Sequence, residues 1–186
     1  RYTTSYPNGR VRGKETDFEL NIPIKAEIEN DTILNLEDIL KFFAMHPKLT
    51  HGDGDLYASV CYAIDYDNTK QYITKVQNLG FVRYAAFIKD ASNCARFVTE
   101  ALIAGLTNND IQSQLIKSKR FTPSTIGNVI ISNTENQVYV VSDTGNISEF
   151  NSTVSKVNRR LFLDRLRGFK PTKEGKLVPK HNSTIS

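Results

Sequence analysis

A chain of 186 residues with 39% hydrophobic content is long enough to bury one core and short for two, and its longest apolar stretches, such as Leu56 to Ile64 and Phe97 to Leu106, fall well below the ~20 residues that span a bilayer. The net charge of +4 is uneven: between Lys156 and Lys180, nine Lys or Arg stand against Asp164 and Glu174, which leaves a mildly acidic body. A nucleic-acid-binding fold carries its basic face on the core module, so this distribution argues against one and leaves the basic end to solvent or to an acidic partner.

Residues 1–17 form a polar segment that begins on Arg1 rather than Met and holds no apolar leader stretch, as in a fragment or a processed chain. Phe18 to Glu29 alternates in places and contains Pro23, which suits an edge strand. Asn35 caps a helix to about Met45, because Leu36, Ile39, Leu40 and Phe43 recur at helical spacing, and Pro47 ends it. After the loop His51-Gly52-Asp53-Gly54-Asp55, the run Leu56 to Asp65 is rich in β-formers on both faces and predicts a covered strand, with Cys61 as a packing residue.

Asp67 to Leu79 then predicts a helix closed by Gly80, Phe81 to Ile88 a strand, and Cys94 to Gly105 the next helix. Asn108 to Ser118 predicts a short helix. Past Pro123, the segments Asn128 to Ile131, Gln137 to Val141 and Ile147 to Phe150, separated by turn residues, predict a β-meander. Val154, Val157, Leu161 and Leu166 suit a last amphipathic helix ending at Gly168, and 169–186 reads as a basic extended tail. Together these elements predict one α+β domain over 18–168, an antiparallel sheet packed against a central helix that carries Cys94.

Two cysteines, Cys61 and Cys94, are too few for a disulfide framework and lack the paired spacing of a zinc site, so the count fits a reducing, cytoplasmic setting. Asp53, Asp55, Asp65 and Asp67 lack the spacing and closing Glu of an EF-hand. A phosphate-binding glycine loop, a Gly-x-Ser-x-Gly elbow and a His-Glu-x-x-His pair are all missing, so the sequence calls for no cofactor and no metal.

Cys94 is the residue that most resembles a nucleophile. In Asp90-Ala91-Ser92-Asn93-Cys94-Ala95-Arg96-Phe97-Val98, polar turn-formers hand over to a helix-spaced apolar stretch, which sets the thiol at a helix start. Unpaired N–H groups and the positive end of the macrodipole favour a thiolate there, and the N–H of Cys94 itself suits a developing oxyanion. A base must come from three histidines: His46 precedes Pro47 at a helix exit, His181 lies in the tail, and His51 stands at the mouth of a buried strand, which makes it the choice. Asn93 adjoins the nucleophile, and Arg83 and Tyr84 precede its loop, as candidates to line a substrate cleft. The alternative is a small buried hydrophobe, because Cys94, Phe97, Val98, Ala101 and Leu102 share one helical stripe.

The order His51, strand, strand, then Asn93-Cys94-Ala95-Arg96-Phe97-Val98 resembles the circularly permuted papain-like thiol hydrolases and acyltransferases, among them the lecithin:retinol acyltransferase group with its similar Asn-Cys-x-x-Phe-Val helix start. The resemblance covers about residues 50 to 142. Gly52-Asp53-Gly54-Asp55 departs from the pattern, in which apolar residues follow the histidine. The stretch from Leu49 to Val129 looks most like a bacterial domain family for which the resemblance implies a fold and no established reaction. It implies that Cys94 attacks an amide or ester carbonyl of a peptide or small molecule with His51 as base and a third polar residue, Asp65 or Asp53, orienting the imidazole, or that a catalytically silent relative keeps the fold as a binding or scaffolding module.

Overall fold

The computed structural model describes residues 1–5, 7–50, 54–85, 91–120, 124–171 and 177–179. In chain order the elements are β1 (Tyr2–Ser5), β2 (Asn8–Val11), one 3-10 turn (Phe18–Leu20), β3 (Ile28–Glu29), β4 (Thr32–Ile33), α1 (Leu36–Met45), α2 (Pro47–Thr50) and β5 (Leu56–Ala58). There follow α3 (Tyr66–Asn78), β6 (Val82–Arg83), α4 (Cys94–Gly105), α5 (Asn109–Arg120), α6 (Thr125–Ile131), β7 (Tyr139–Val141), β8 (Ile147–Glu149), α7 (Val154–Gly168), β9 (Phe169–Pro171) and β10 (Leu177–Pro179). The fold is α+β.

Among the described residues the strands do not make one sheet. They pair antiparallel in the orders β1-β2-β6 and β5-β7-β8, with β3-β4 and β9-β10 as separate hairpins. Helix α4 packs on α3 and α5, and β1 lies against it. The reason for the division is visible in the run from Leu56 to Asp65, which leaves its ladder after Ala58 because other groups take its backbone. The Val60 carbonyl accepts from the Thr134 N–H at 2.9 Å, Thr107 donates to the Ala63 carbonyl at 3.0 Å, and Ile64 bridges Leu106. The chain is extended there, yet it is tied to a loop and to the end of a helix.

Two further elements differ from expectation. Phe18 to Glu29 is one 3-10 turn and an irregular stretch before the β3-β4 hairpin, whose loop residues Asn30 (φ 46°) and Asp31 (φ 60°) take the left-handed conformation that two-residue hairpins favour. Asn35 pins the irregular stretch: its Oδ1 accepts from the Glu27 N–H and its Nδ2 donates to the Lys25 carbonyl. Asn128 to Ile131 lies in helix α6 rather than in a strand. Ser124 caps that helix by accepting from the Gly127 N–H at 3.3 Å, and the buried Asn128 side chain donates to Thr99 Oγ1 at 2.9 Å and accepts from Ser118 Oγ at 2.6 Å. These tertiary bonds override the β preference of Val129, Ile130 and Ile131.

Among the described residues three apolar clusters form the core: Leu40, Ala44 and Val141 between α1 and the β5-β7-β8 sheet; Leu106, Ile111 and Leu115 around the end of α4, with Cys61 packed beside them; and Tyr2, Val11 and Phe97. The third cluster joins the N-terminal hairpin to α4. Residues 1–17 thus contribute a hairpin that packs on the cysteine-bearing helix. At the other end of that helix, Gly105 lets α3 approach closely, since a Cβ there would run into the Thr69 side chain.

Candidate functional site

Asn93 decides where α4 begins. Its backbone is extended (φ −142°, ψ 174°), its Oδ1 accepts from the Arg96 N–H at 2.8 Å, and its carbonyl accepts from the Phe97 N–H at 2.8 Å. Cys94 is therefore the first helical residue. Among the described residues no acceptor takes the N–H of Cys94 or of Ala95, so two donors and the positive helix end surround the thiol. The side chain of Cys94 is exposed, and Val98, one turn along the same face, is 55% exposed, whereas Phe97 and Ala101 are buried. The apolar stripe of α4 turns away from the core at this edge, which overturns the reading of Cys94 as a buried hydrophobe.

Beside that edge runs an open groove of about 540 Å³. Val98 lines it together with Phe43 of α1, Leu56 and Tyr57 at β5, and Ile126 and Val129 of α6. Thr50 and Gly54, the described neighbours of the segment 51–53, line the same groove. His51 and Asp53 themselves lie outside the described residues, as does His181. His46 is engaged with its own helix, stacked on Phe42 with Nδ1 2.7 Å from the Phe42 carbonyl.

Asp65 is not brought to Cys94. It caps α3, accepting from the Asn68 N–H at 2.8 Å, and its own N–H donates to the Gly105 carbonyl at 2.7 Å. Gly105 ends a helix of 12 residues that Cys94 starts. At 1.5 Å per residue, Asp65 therefore stands about 16 Å along the axis from the thiol. Tyr84, by contrast, is near the site: it is half-buried, and its ring centroid is 6.4 Å from that of Tyr2. The Tyr2 hydroxyl donates to the Ser92 carbonyl at 3.2 Å, two residues before Cys94. Burial raises the pKa of this phenol, and the Tyr84 and Cys94 groups raise it further. The Cys61 thiol is pushed up by burial, with the Ala63 N–H working the other way.

Residues 1–111 match the family model described as Type VI secretion system effector TseH-like, a span that includes Tyr2, His51, Tyr84, Asn93 and Cys94. The chain belongs to this effector family. No curated protein and no solved structure matches it. The family match begins at residue 1 and takes in the N-terminal hairpin of the TseH-like chain, which the resemblance over residues 50 to 142 leaves out.

Tyr2 is the site residue that sequence reasoning missed. Its signal was Pro7 between Tyr-Thr-Thr-Ser and Asn-Gly-Arg-Val, two short segments that fold back as β1 and β2. Among the described residues of the TseH-like chain no group of three His, Cys, Asp or Glu is placed to hold a metal ion, and no helix is long and apolar enough to cross a membrane.

Nearly two turns along α4 from Cys94, Glu100 joins three helices. Its carboxylate accepts from Tyr72 of α3 at 2.8 Å, from Arg96 at 3.0 Å and from Lys119 of α5 at 3.1 Å. Burial works against the charge, but the three hydrogen bonds outweigh it and hold the carboxyl below the usual carboxylate range. The Tyr72 phenol is pushed up by burial and by its bond to Glu100. A carboxyl with a lowered folded pKa contributes stability that is complete above its unfolded value, about 4.3, and is lost as pH falls through the folded value. Glu100→Gln is thus expected to destabilise the TseH-like chain by about 1–3 kcal/mol at pH 7, with the deficit shrinking below about pH 4. Thermal unfolding followed by circular dichroism at pH 7 and pH 3 checks this; a deficit equal at both values would contradict it.

Proposed function

We propose that this TseH-like effector is a cysteine-dependent hydrolase or acyl-transferring enzyme of permuted papain-like type, acting on an amide or ester bond of a peptide or small molecule. The observation that carries this reading is the exposed Cys94 at the first position of α4, beside an open groove shared with the chain neighbours of His51. Cys94 Sγ attacks the carbonyl carbon while His51 takes the thiol proton, and the N–H groups of Cys94 and Ala95 donate to the oxyanion. The tetrahedral intermediate collapses with cleavage of the C–N or C–O bond, and His51 returns the proton to the departing amine or alcohol. Water, or another nucleophile in acyl transfer, then cleaves the thioester.

In this reading Asn93 sets the helix start and Tyr84 faces the substrate. Asp53, close to His51 in the chain, replaces Asp65 as the candidate that orients the imidazole. The family's description as secretion-system effectors supports action after export rather than the cytoplasmic setting that the cysteine count fits.

Thiol labelling tests the assignment. With iodoacetamide at pH 7 and peptide mapping by mass spectrometry, Cys94 is expected to react at least about tenfold faster than the half-buried Cys61, and His51→Ala to slow Cys94 alone. Equal, slow labelling of the two cysteines would remove Cys94 as nucleophile, and an unchanged rate in His51→Ala would remove His51 as base.

A further inference from the structure

We propose that Tyr2 is a positioning residue for Cys94: its hydroxyl, seated over Gly9, holds the Ser92 carbonyl and thereby fixes the turn from which α4 and its thiol emerge. The inference deepens the reading of Cys94 as nucleophile and rests on it for its catalytic meaning.

The geometry that carries it begins in the hairpin. Tyr2 pairs with Val11, so Gly9, two residues back on β2, is its diagonal neighbour. A Cβ at Gly9 would occupy the space of the Tyr2 hydroxyl and the adjoining ring atoms. Glycine there leaves room for the ring to lie between Phe97, at 5.9 Å between centroids, and Tyr84, at 6.4 Å. Tyr2 is only 7% exposed, and its hydroxyl reaches the Ser92 carbonyl at 3.2 Å. That carbonyl also accepts from the Ala85 N–H at 3.1 Å, while the Ser92 N–H donates to the Arg83 carbonyl at 2.9 Å. Ala91 and Ser92 are themselves buried. The peptide before Asn93 is thus stitched on one side to the strand leading from β6 and on the other to Tyr2. Asn93 in turn sets which N–H groups of α4 stay unpaired around the thiol. The hairpin, 80 and more residues away in sequence, completes the mounting of the proposed nucleophile.

Tyr2→Phe in the full chain keeps the ring packing and removes only the hydroxyl. Two readouts are taken: amide hydrogen exchange, resolved by residue, and the rate of Cys94 alkylation by iodoacetamide at pH 7. Exchange at the Arg96 and Phe97 amides is expected to rise about fivefold, the size of one hydrogen bond, with exchange at the fully buried Leu115 unchanged. Cys94 alkylation is expected to slow about two- to fivefold, the range of a helix-terminus charge effect. Gly9→Ala, which displaces the hydroxyl, reproduces both changes. If exchange at 96 and 97 and the alkylation rate stay at their original values, or if Leu115 loses protection to the same degree, Tyr2 does not position the helix start and the proposal falls. Because exchange needs neither substrate nor a reactive thiol, a local rise in exchange around a Cys94 as inert as Cys61 would uphold the positioning role and defeat the nucleophile reading instead.

Discussion

Cys94→Ala is expected to abolish the burst of p-nitrophenolate that acylation of the thiol by p-nitrophenyl acetate would release, and to lower steady-state turnover on the order of a thousandfold or more. The size follows from what the side chain does in the proposed reaction. Without the sulfur no thioester forms, and the remaining donors at the start of α4 have no attacking atom to serve. The fold is expected to survive, since Cys94 is exposed and belongs to none of the three apolar clusters. An unchanged thermal midpoint alongside lost turnover separates chemistry from unfolding. Turnover within tenfold of the original would show that another group carries the reaction.

Phe97→Ala has the largest expected effect on stability. Phe97 is 7% exposed and packs against Tyr2 and Tyr72, with ring centroids 5.9 Å and 6.4 Å away, so it is the point at which the N-terminal hairpin, α3 and α4 meet. Truncation removes a buried ring and leaves a cavity between three elements that relax only in part, at a cost of about 3–5 kcal/mol. In urea this corresponds to a fall in midpoint of about 2 M. Phe97→Leu fills much of the space and is expected to cost under half as much. A loss below about 1 kcal/mol in Phe97→Ala would mean that the hairpin is not docked on α4 as described.

The helices were the most legible part of the chain. Leu36, Ile39, Leu40 and Phe43 announce α1, and Asn93 before an apolar run announces α4 to the residue, because capping and helical spacing are local physics. The strands were less legible. Leu56 to Asp65 is rich in β-formers, yet a ladder needs partners, and Thr134, Leu106 and Thr107 claim its backbone from far along the chain. Val129, Ile130 and Ile131 read as a strand because nothing local reveals that Asn128 is bonded to Thr99 and Ser118 inside the core.

The site divides in the same way. Cys94 and Asn93 are recognisable from their own neighbours in sequence. Tyr2 and Glu100 are not, because what matters about them is the Ser92 carbonyl and the side chains of Tyr72 and Lys119, contacts made across 19 to 90 residues. Asp65 looked like a partner for the imidazole because it shares a predicted strand face with small residues. Folding carries it to the opposite end of α4, where its carboxylate starts α3.

In the proposed reaction the Cys94 sulfur forms a covalent bond to the acyl group of its substrate. Intact-mass spectrometry of the chain quenched in acid during turnover of p-nitrophenyl acetate, followed by peptide mapping, reads that bond directly. A single acetyl group on Cys94 is expected, decaying as substrate is exhausted and absent from Cys94→Ala. Turnover with Cys94 unmodified at every time point, or an acetyl group of equal occupancy on Cys61, would contradict it.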